Sequence, residues 1–160
     1  MKTRRWFLFL SVVILINGCA VKKDFEHAQY INSIATYENF IQKYPNSKYV
    51  PEAKTNLTRL YESRDWNKAK IDNTIYGYES FIRKYPNSPY IYSARDNIKS
   101  LELKRDWDNA IKSNTISGYE SFISKYPNST YNSVAEKNIR KLQEKRDWDA
   151  IKTYGDISDF

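Results

Sequence analysis

The sequence predicts an all-α fold, a short α-solenoid of antiparallel helical hairpins with a period of 41 residues. Three observations lead there. Lys43-Tyr44-Pro45-Asn46-Ser47 recurs as Lys84–Ser88 and Lys125–Ser129, and Arg64-Asp65-Trp66 recurs as Arg105–Trp107 and Arg146–Trp148, both series stepping by 41 residues. A fixed step of this size marks a supersecondary unit that cannot cover its own apolar face and stacks on its copies. Breakers are few: four Gly and five Pro, with Pro45, Pro86 and Pro127 at one repeated place, leave long stretches that helix fills naturally. Finally, the aromatic and aliphatic residues fall at steps of three and four, the spacing of a helix face.

Each repeat opens on its long helix. After Lys-Tyr-Pro-Asn comes Ser47, Ser88 or Ser129, then Tyr49, Tyr90 or Tyr131, then Ala53, Ala94 or Ala135, with Leu57/Ile98/Ile139 and Leu60/Leu101/Leu142 completing one face. The Ser suits an N-cap, and Pro89 directly after Ser88 suits a first helical residue, so the long helix is expected to start at the Ser. Further along, Leu103, Trp107, Ala110 and Ile111 gather nearly opposite Tyr90, Ala94, Ile98 and Leu101. One continuous helix of about 24 residues would then carry two apolar stripes, each for a different neighbour. The alternative is a break near Lys104, with Asp65, Asp106 and Asp147 capping a fresh start at the Trp. The continuous helix is preferred.

The short helix follows a turn and cap at Asn32-Ser33, Asn73-Thr74 and Asn114-Thr115. Tyr37/Tyr78/Tyr119, Phe40/Phe81/Phe122, Ile41/Ile82/Ile123 and Tyr44/Tyr85/Tyr126 keep helical spacing along it. Pro45, Pro86 and Pro127 end it, because the residue before a Pro is pushed out of helical angles. Repeat units are expected at about 24–64, 65–105 and 106–146, with a degenerate end at 147–160 where one residue is lost before Ala150 and Gly155 ends the helix. Trp66, Trp107, Trp148, Tyr78, Tyr119, Phe81 and Phe122, being repeated, are expected to pack rather than bind a cofactor.

Residues 1–18 have the layout of a secretory signal: a basic start with Lys2, Arg4 and Arg5, then an apolar run from Trp6 to Ile16. That run is far shorter than the ~20 residues that cross a bilayer as a helix. Ile16-Asn17-Gly18-Cys19 resembles the lipobox of bacterial lipoproteins, in which the Cys is acylated and becomes the new N-terminus. That resemblance implies a lipid on Cys19, with residues 19–23 as a short linker and the array from residue 24 onward; the alternative is a plain secretory signal with an incidental Cys. Ala20 is not the Asp associated with inner-membrane retention, so the resemblance implies the outer membrane, facing the periplasm.

Trp-x-x-Ala, Tyr-x-x-Phe and Tyr-Pro-x-Ser together resemble the tetratricopeptide-like repeat lipoproteins of the bacterial envelope, similar to outer-membrane assembly lipoproteins. The likeness covers Asp24 to about Lys152. It implies stacked helical hairpins and a protein partner in the envelope. The period of 41 residues is longer than the ~34 of the common tetratricopeptide unit.

Composition narrows the chemistry. Losing Lys2, Arg4 and Arg5 with the leader takes the net charge from +7 to +4, too little to predict nucleic-acid binding. One Cys and one His allow no internal disulfide and no Cys/His metal cluster, and Cys19 with His27 is the only Cys-His pair available. The Arg-Asp pairs at 64–65, 105–106 and 146–147 occur three times, whereas an active site needs one copy; they are expected to tie or cap helices. No catalytic residue, cofactor or metal is therefore expected. Lys54, Arg59, Arg95, Lys99, Lys137 and Lys141 stand at free positions of the long helices. The expected function is a lipid-anchored scaffold that binds another envelope protein through its repeat surface. Binding of an anionic envelope polymer, peptidoglycan or polysaccharide, is the alternative.

Overall fold

The computed structural model describes residues 19–155, with side chains to Thr153. The expected signal segment lies outside the described residues. Those described form helices throughout: α1 over 19–31, α2 Ile34–Lys43, α3 Val50–Asp72, α4 Ile75–Lys84, α5 Ile91–Ser113, α6 Ile116–Lys125 and α7 Asn132–Gly155. No strand occurs among them. The fold is all-α and repeating, with long and short helices alternating in the predicted order.

The chain divides into two compact units, one holding the residues up to Asp72 together with Arg83–Ser88, the other Asn73–Ile82 and the residues from Pro89 onward. The first unit centres on Phe25, Ala28, Tyr37, Phe40, Val50 and Ala53, with Val21, Ile41, Tyr44, Tyr49, Leu57 and Leu60 around them. The second centres on Trp107, Ala110, Tyr119, Phe122 and Ala135, with Leu103, Ile123, Tyr126, Tyr131, Ile139 and Leu142 around them. The two sets correspond at twice the repeat step except at Val50, whose counterpart Asn132 is not part of the second core. Each core is a three-part layer: the second half of one long helix, the short helix after it, and the first half of the next long helix. Phe25 stacks on Tyr49 at 4.8 Å, and Trp107 stacks on Tyr131 at 4.9 Å in the same role. Such aromatic pairs add about 0.5–1.5 kcal/mol beyond the apolar area they bury.

The long helices are continuous. α5 buries Ile91 and Ala94 in its first half and Trp107 and Ala110 in its second, and α3 repeats this with Val50, Ala53, Trp66 and Ala69. Their middles contain neither Gly nor Pro, and Lys104 ties to Asp108 one turn on at 2.7 Å. Asp106 does not cap a new helix, because its carboxylate is engaged by Lys125 and Tyr126 instead.

The start of the long helix is a correction. It begins at Val50, Ile91 and Asn132, three residues after the Ser expected to cap it. Ser47 and Ser129 serve a preceding turn: their Oγ atoms accept from the N–H of Tyr49 and Tyr131 at 3.2 Å, and their carbonyls accept from Val50 and Asn132. The first i to i+4 bond then runs from the Tyr carbonyl to Ala53, Ala94 or Ala135. Pro89 accordingly lies in that turn rather than at a first helical position. Residues 19–23, expected as a short linker, are helical, and Val21 packs on the first core.

The turns into the short helices match the sequence. Asn32, Asn73 and Asn114 take left-handed φ of 49°, 44° and 45°, a conformation Asn tolerates better than most residues. Ser33, Thr74 and Thr115 then cap, accepting from the N–H of Thr36, Gly77 and Gly118. The same Asn has a second task, since Tyr78 and Tyr119 donate their buried hydroxyls to Asn73 and Asn114 at 3.2 and 3.1 Å. Tyr44 and Tyr126, immediately before Pro45 and Pro127, leave helical angles at ψ 58° and 65°, so α2 and α6 stop where expected.

The register filled by Val21 and Leu103 carries a carboxylate in the other two copies, at Glu62 and at the exposed Glu144. Glu62 occupies the register of Leu103, which packs on the second core, and its Oε1 is buried without a hydrogen-bond partner among the described residues. Glu62→Leu is therefore expected to stabilise the fold by about 1–2 kcal/mol, by removing an unsatisfied acceptor and adding apolar contact. A urea melt whose midpoint stays put or falls would contradict this.

Candidate protein-binding surface

A recurring clamp holds each short helix to the long helix before it. Asp24 Oδ2 accepts from Lys43 Nζ and Tyr44 Oη, both at 2.7 Å. Asp65 Oδ2 takes Lys84 at 2.6 Å and Tyr85 at 2.8 Å, and Asp106 Oδ2 takes Lys125 at 2.6 Å and Tyr126 at 2.9 Å. Arg64 and Arg105 complete the last two clamps by donating to the other carboxylate oxygen of Asp65 and Asp106, at 2.9 and 3.0 Å. The Arg-Asp pairs were expected to tie helices, and these two do. Their Lys-Tyr partners were missed, although the signal was present: Asp and Lys-Tyr recur together at a separation of 19 and 20 residues in each copy.

Charge follows geometry. Burial pushes the Asp65 carboxyl up, but hydrogen bonds from Lys84, Arg64 and Tyr85 outweigh it and hold the group at about 2. At Asp106 the bond from Lys125 dominates over burial, and with Tyr126 and Arg105 it again gives about 2. Lys43 and Tyr44 lower Asp24 in the same way. A carboxyl lowered by folding stabilises the native state above its unfolded value near 4, and that contribution disappears as pH falls through the folded value. Stability is thus expected to decline between about pH 4 and pH 2, by on the order of 1 kcal/mol for each of the Asp65 and Asp106 clamps after solvent screening. Thermal melts across this range should show a shallower acid slope for Asp65→Asn/Asp106→Asn; an unchanged slope would assign the decline elsewhere.

Beside two clamps lies an open groove. In the first unit it has a volume of 270 Å³ and is lined by Asp24, His27, Ala28, Asn39, Phe40 and Lys43 among others. Its equivalent in the second unit, 330 Å³, runs over Asp106, Ala110, Gly118, Phe122, Lys125 and Tyr126. The lysines that line them, Lys43 and Lys125, are engaged by the clamp aspartates Asp24 and Asp106. Lys54, Arg59, Arg95, Lys99, Lys137 and Lys141 are all exposed, as their free positions suggest.

The repeat positions do not all behave alike. Trp66 and Trp107 are 7% exposed, Tyr78 and Tyr119 2%, and Phe81 and Phe122 4% and 3%, while Pro45, Pro86 and Pro127 sit in the turns. Trp148 is the correction: expected to pack like its counterparts, it is 59% exposed. Its ring faces solvent with Lys152 at 5.4 Å, and Ile151 beside it is 63% exposed. The reason lies in the layer construction. The first half of α7 closes the second unit's core through Ala135, Ile139 and Leu142, but no short helix among the described residues covers its second half. Asp147, at the clamp position, has the neighbouring Arg146 as its ion-pair partner and, among the described residues, no Lys or Tyr of the clamp type. An aromatic ring, an aliphatic neighbour and a carboxylate are thus turned to solvent on this half of α7.

At the other end, Cys19 is free and exposed at the first described position of α1, in the register of Leu60, Leu101 and Leu142. Among the described residues no helix is long and apolar enough to cross a membrane, and no cluster of His, Cys, Asp and Glu could hold a metal ion. No protein-family model matches the chain, and no curated protein or solved structure matches it either.

Proposed function

We propose that the protein is a lipid-anchored scaffold of the bacterial cell envelope, tethered at Cys19 and holding another protein through its helical-repeat surface. The observation that carries this reading is the second half of α7. Trp148, Ile151 and Asp147 stand where other long helices receive a short helix, yet they face water. Isolated exposed apolar residues are ordinary, but a ring, an aliphatic side chain and a carboxylate arranged as in the covered layers suit a protein surface. The lipobox-like Ile16-Asn17-Gly18-Cys19 and the tetratricopeptide-like spacing support the envelope location, and the outer membrane facing the periplasm is its place if the acylated Cys is followed by Ala20.

Crosslinking in cells followed by co-purification of the full chain tests the reading. One specific envelope protein is expected with the native chain; recovery of none overturns it. The mass of the mature N-terminus tests the anchor, which requires acyl chains on Cys19 and their loss in Cys19→Ser. The six exposed basic residues on the long helices favour a second reading, binding of an anionic envelope polymer. Co-sedimentation with purified sacculi, reversed by salt and independent of protein partners, would select it.

A further inference from the structure

We infer that the end of the first unit beside Cys19 is a membrane-contact face, on which Lys22, Lys23 and Lys48 meet the anionic phospholipid headgroups of the leaflet that takes the acyl chains. The inference rests on the lipid anchor of the reading above, and goes beyond it by assigning which face of the fold meets the lipid and through which charges.

The first observation is the lack of slack at the anchor. Residues 19–31 are one helix and Val21 packs on the first core, so no linker separates Cys19 from the folded unit. At about 1.5 Å of rise per residue, Lys22 and Lys23 stand about 5–6 Å along α1 from Cys19, inside the ~8 Å screening length of physiological salt. The turn into α3 lies at the same end. Lys43 and Tyr44 reach Asp24, and Tyr49 stacks on Phe25 with the Lys48 ammonium 5.2 Å from the Tyr49 ring. Lys22, Lys23 and Lys48 are all exposed.

The second observation is that this copy departs from the repeat in charge. Lys23 holds the register of Arg64, Arg105 and Arg146, each of which pairs with the Asp that follows it. Lys23 has no ion-pair partner among the described residues, because Asp24 is held by Lys43 and Tyr44 instead. Lys48 holds the register of Pro89 and Thr130, and it too has no ion-pair partner among the described residues. Lys22 has Glu26 at 3.5 Å, but both side chains are more than half exposed and such a pair contributes little. Lys104, in the register of Lys22, is tied to Asp108 at 2.7 Å. With Lys43, the copy next to the anchor thus sets four lysines against the carboxylates of Asp24 and Glu26. A basic cluster adjoining an acyl anchor is attracted to an anionic leaflet, each Lys near the surface adding to the hold.

The test uses the mature chain purified from membranes and reconstituted into vesicles of phosphatidylcholine, alone or with about one-third phosphatidylglycerol. Lysines are acetylated with an uncharged reagent, and their rates are read by mass spectrometry of the digest. In the anionic vesicles Lys22, Lys23 and Lys48 are expected to react about fivefold more slowly than in the neutral ones, while the exposed Lys99 and Lys137 of the second unit keep their rates. Salt at about 1 M, which shortens the screening length to about 3 Å, should erase the difference. Lys23→Gln/Lys48→Gln should remove the protection of Lys22. The inference is overturned by equal rates at the three lysines in both vesicles, by slowing of every exposed lysine alike, or by protection from purified sacculi but not from anionic vesicles. The Cys19 peptide in the same digest separates the two levels. Acyl chains on Cys19 without protection remove this face and leave the anchor standing, whereas an unmodified Cys19 overturns both.

Discussion

Trp107→Ala is expected to lower the free energy of unfolding by about 3–5 kcal/mol, whereas Trp148→Ala, the same substitution one repeat later, should change it by less than about 0.5 kcal/mol. The contrast follows from position in the layer. Trp107 is buried against α6 and stacks on Tyr131 at 4.9 Å, so truncation leaves a cavity bordered by Tyr119, Phe122 and Tyr131. Trp148 has solvent on its face and leaves none. Chemical denaturation of the two variants, followed by circular dichroism, measures both effects. Repeat arrays tend to unfold by layers, so Trp107→Ala should also separate the transition into two steps, the second unit's core melting first. Equal destabilisation by the two substitutions would show that Trp148 is covered in solution. That would remove the ground for a docking surface on α7.

Lys104→Pro is expected to cost about 3 kcal/mol or more, whereas Lys104→Ala, which removes an exposed tie to Asp108 and little else, should leave the stability nearly unchanged. Position 104 lies in the middle of α5, between the half that carries Ile91 and Ala94 and the half that carries Trp107 and Ala110. Proline there removes a backbone donor and crowds the preceding turn, so the two apolar stripes lose the rigid connection that sets their separation. Had the helix broken at this point with Asp106 as a cap, Pro would be tolerated in the linker. A urea midpoint unchanged by Lys104→Pro would therefore restore the broken helix and leave the carboxylate of Asp106 with a capping role.

Particular residues show how much could be read without coordinates. Asn114 and Thr115 gave the turn and cap because few residues accept a left-handed φ and few side chains accept from a free N–H at a helix start; both properties are local. Ser47 misled for a related reason. Its hydroxyl does accept a backbone N–H, but that of a turn residue two positions on, and a sequence pattern cannot distinguish this turn from the helix that follows it. The clamp was half visible. Asp106 looked like an end of a tie, yet its partners on the far side of the hairpin are 19 and 20 residues away and are named only when the short helix folds back.

The repeat step, the alternation of long and short helices, the turn residues and the repeated ring positions were all determined by the sequence itself, because each depends on local backbone preference or on a period that repetition makes visible. Tertiary structure alone decided which of the equivalent residues are covered. Trp107 and Trp148 share the same preceding Arg-Asp, and one is 7% exposed while the other is 59% exposed. Burial belongs to a pair of surfaces rather than to a residue, and the same side chain is dry where a second helix covers it and wet where none of the described residues does.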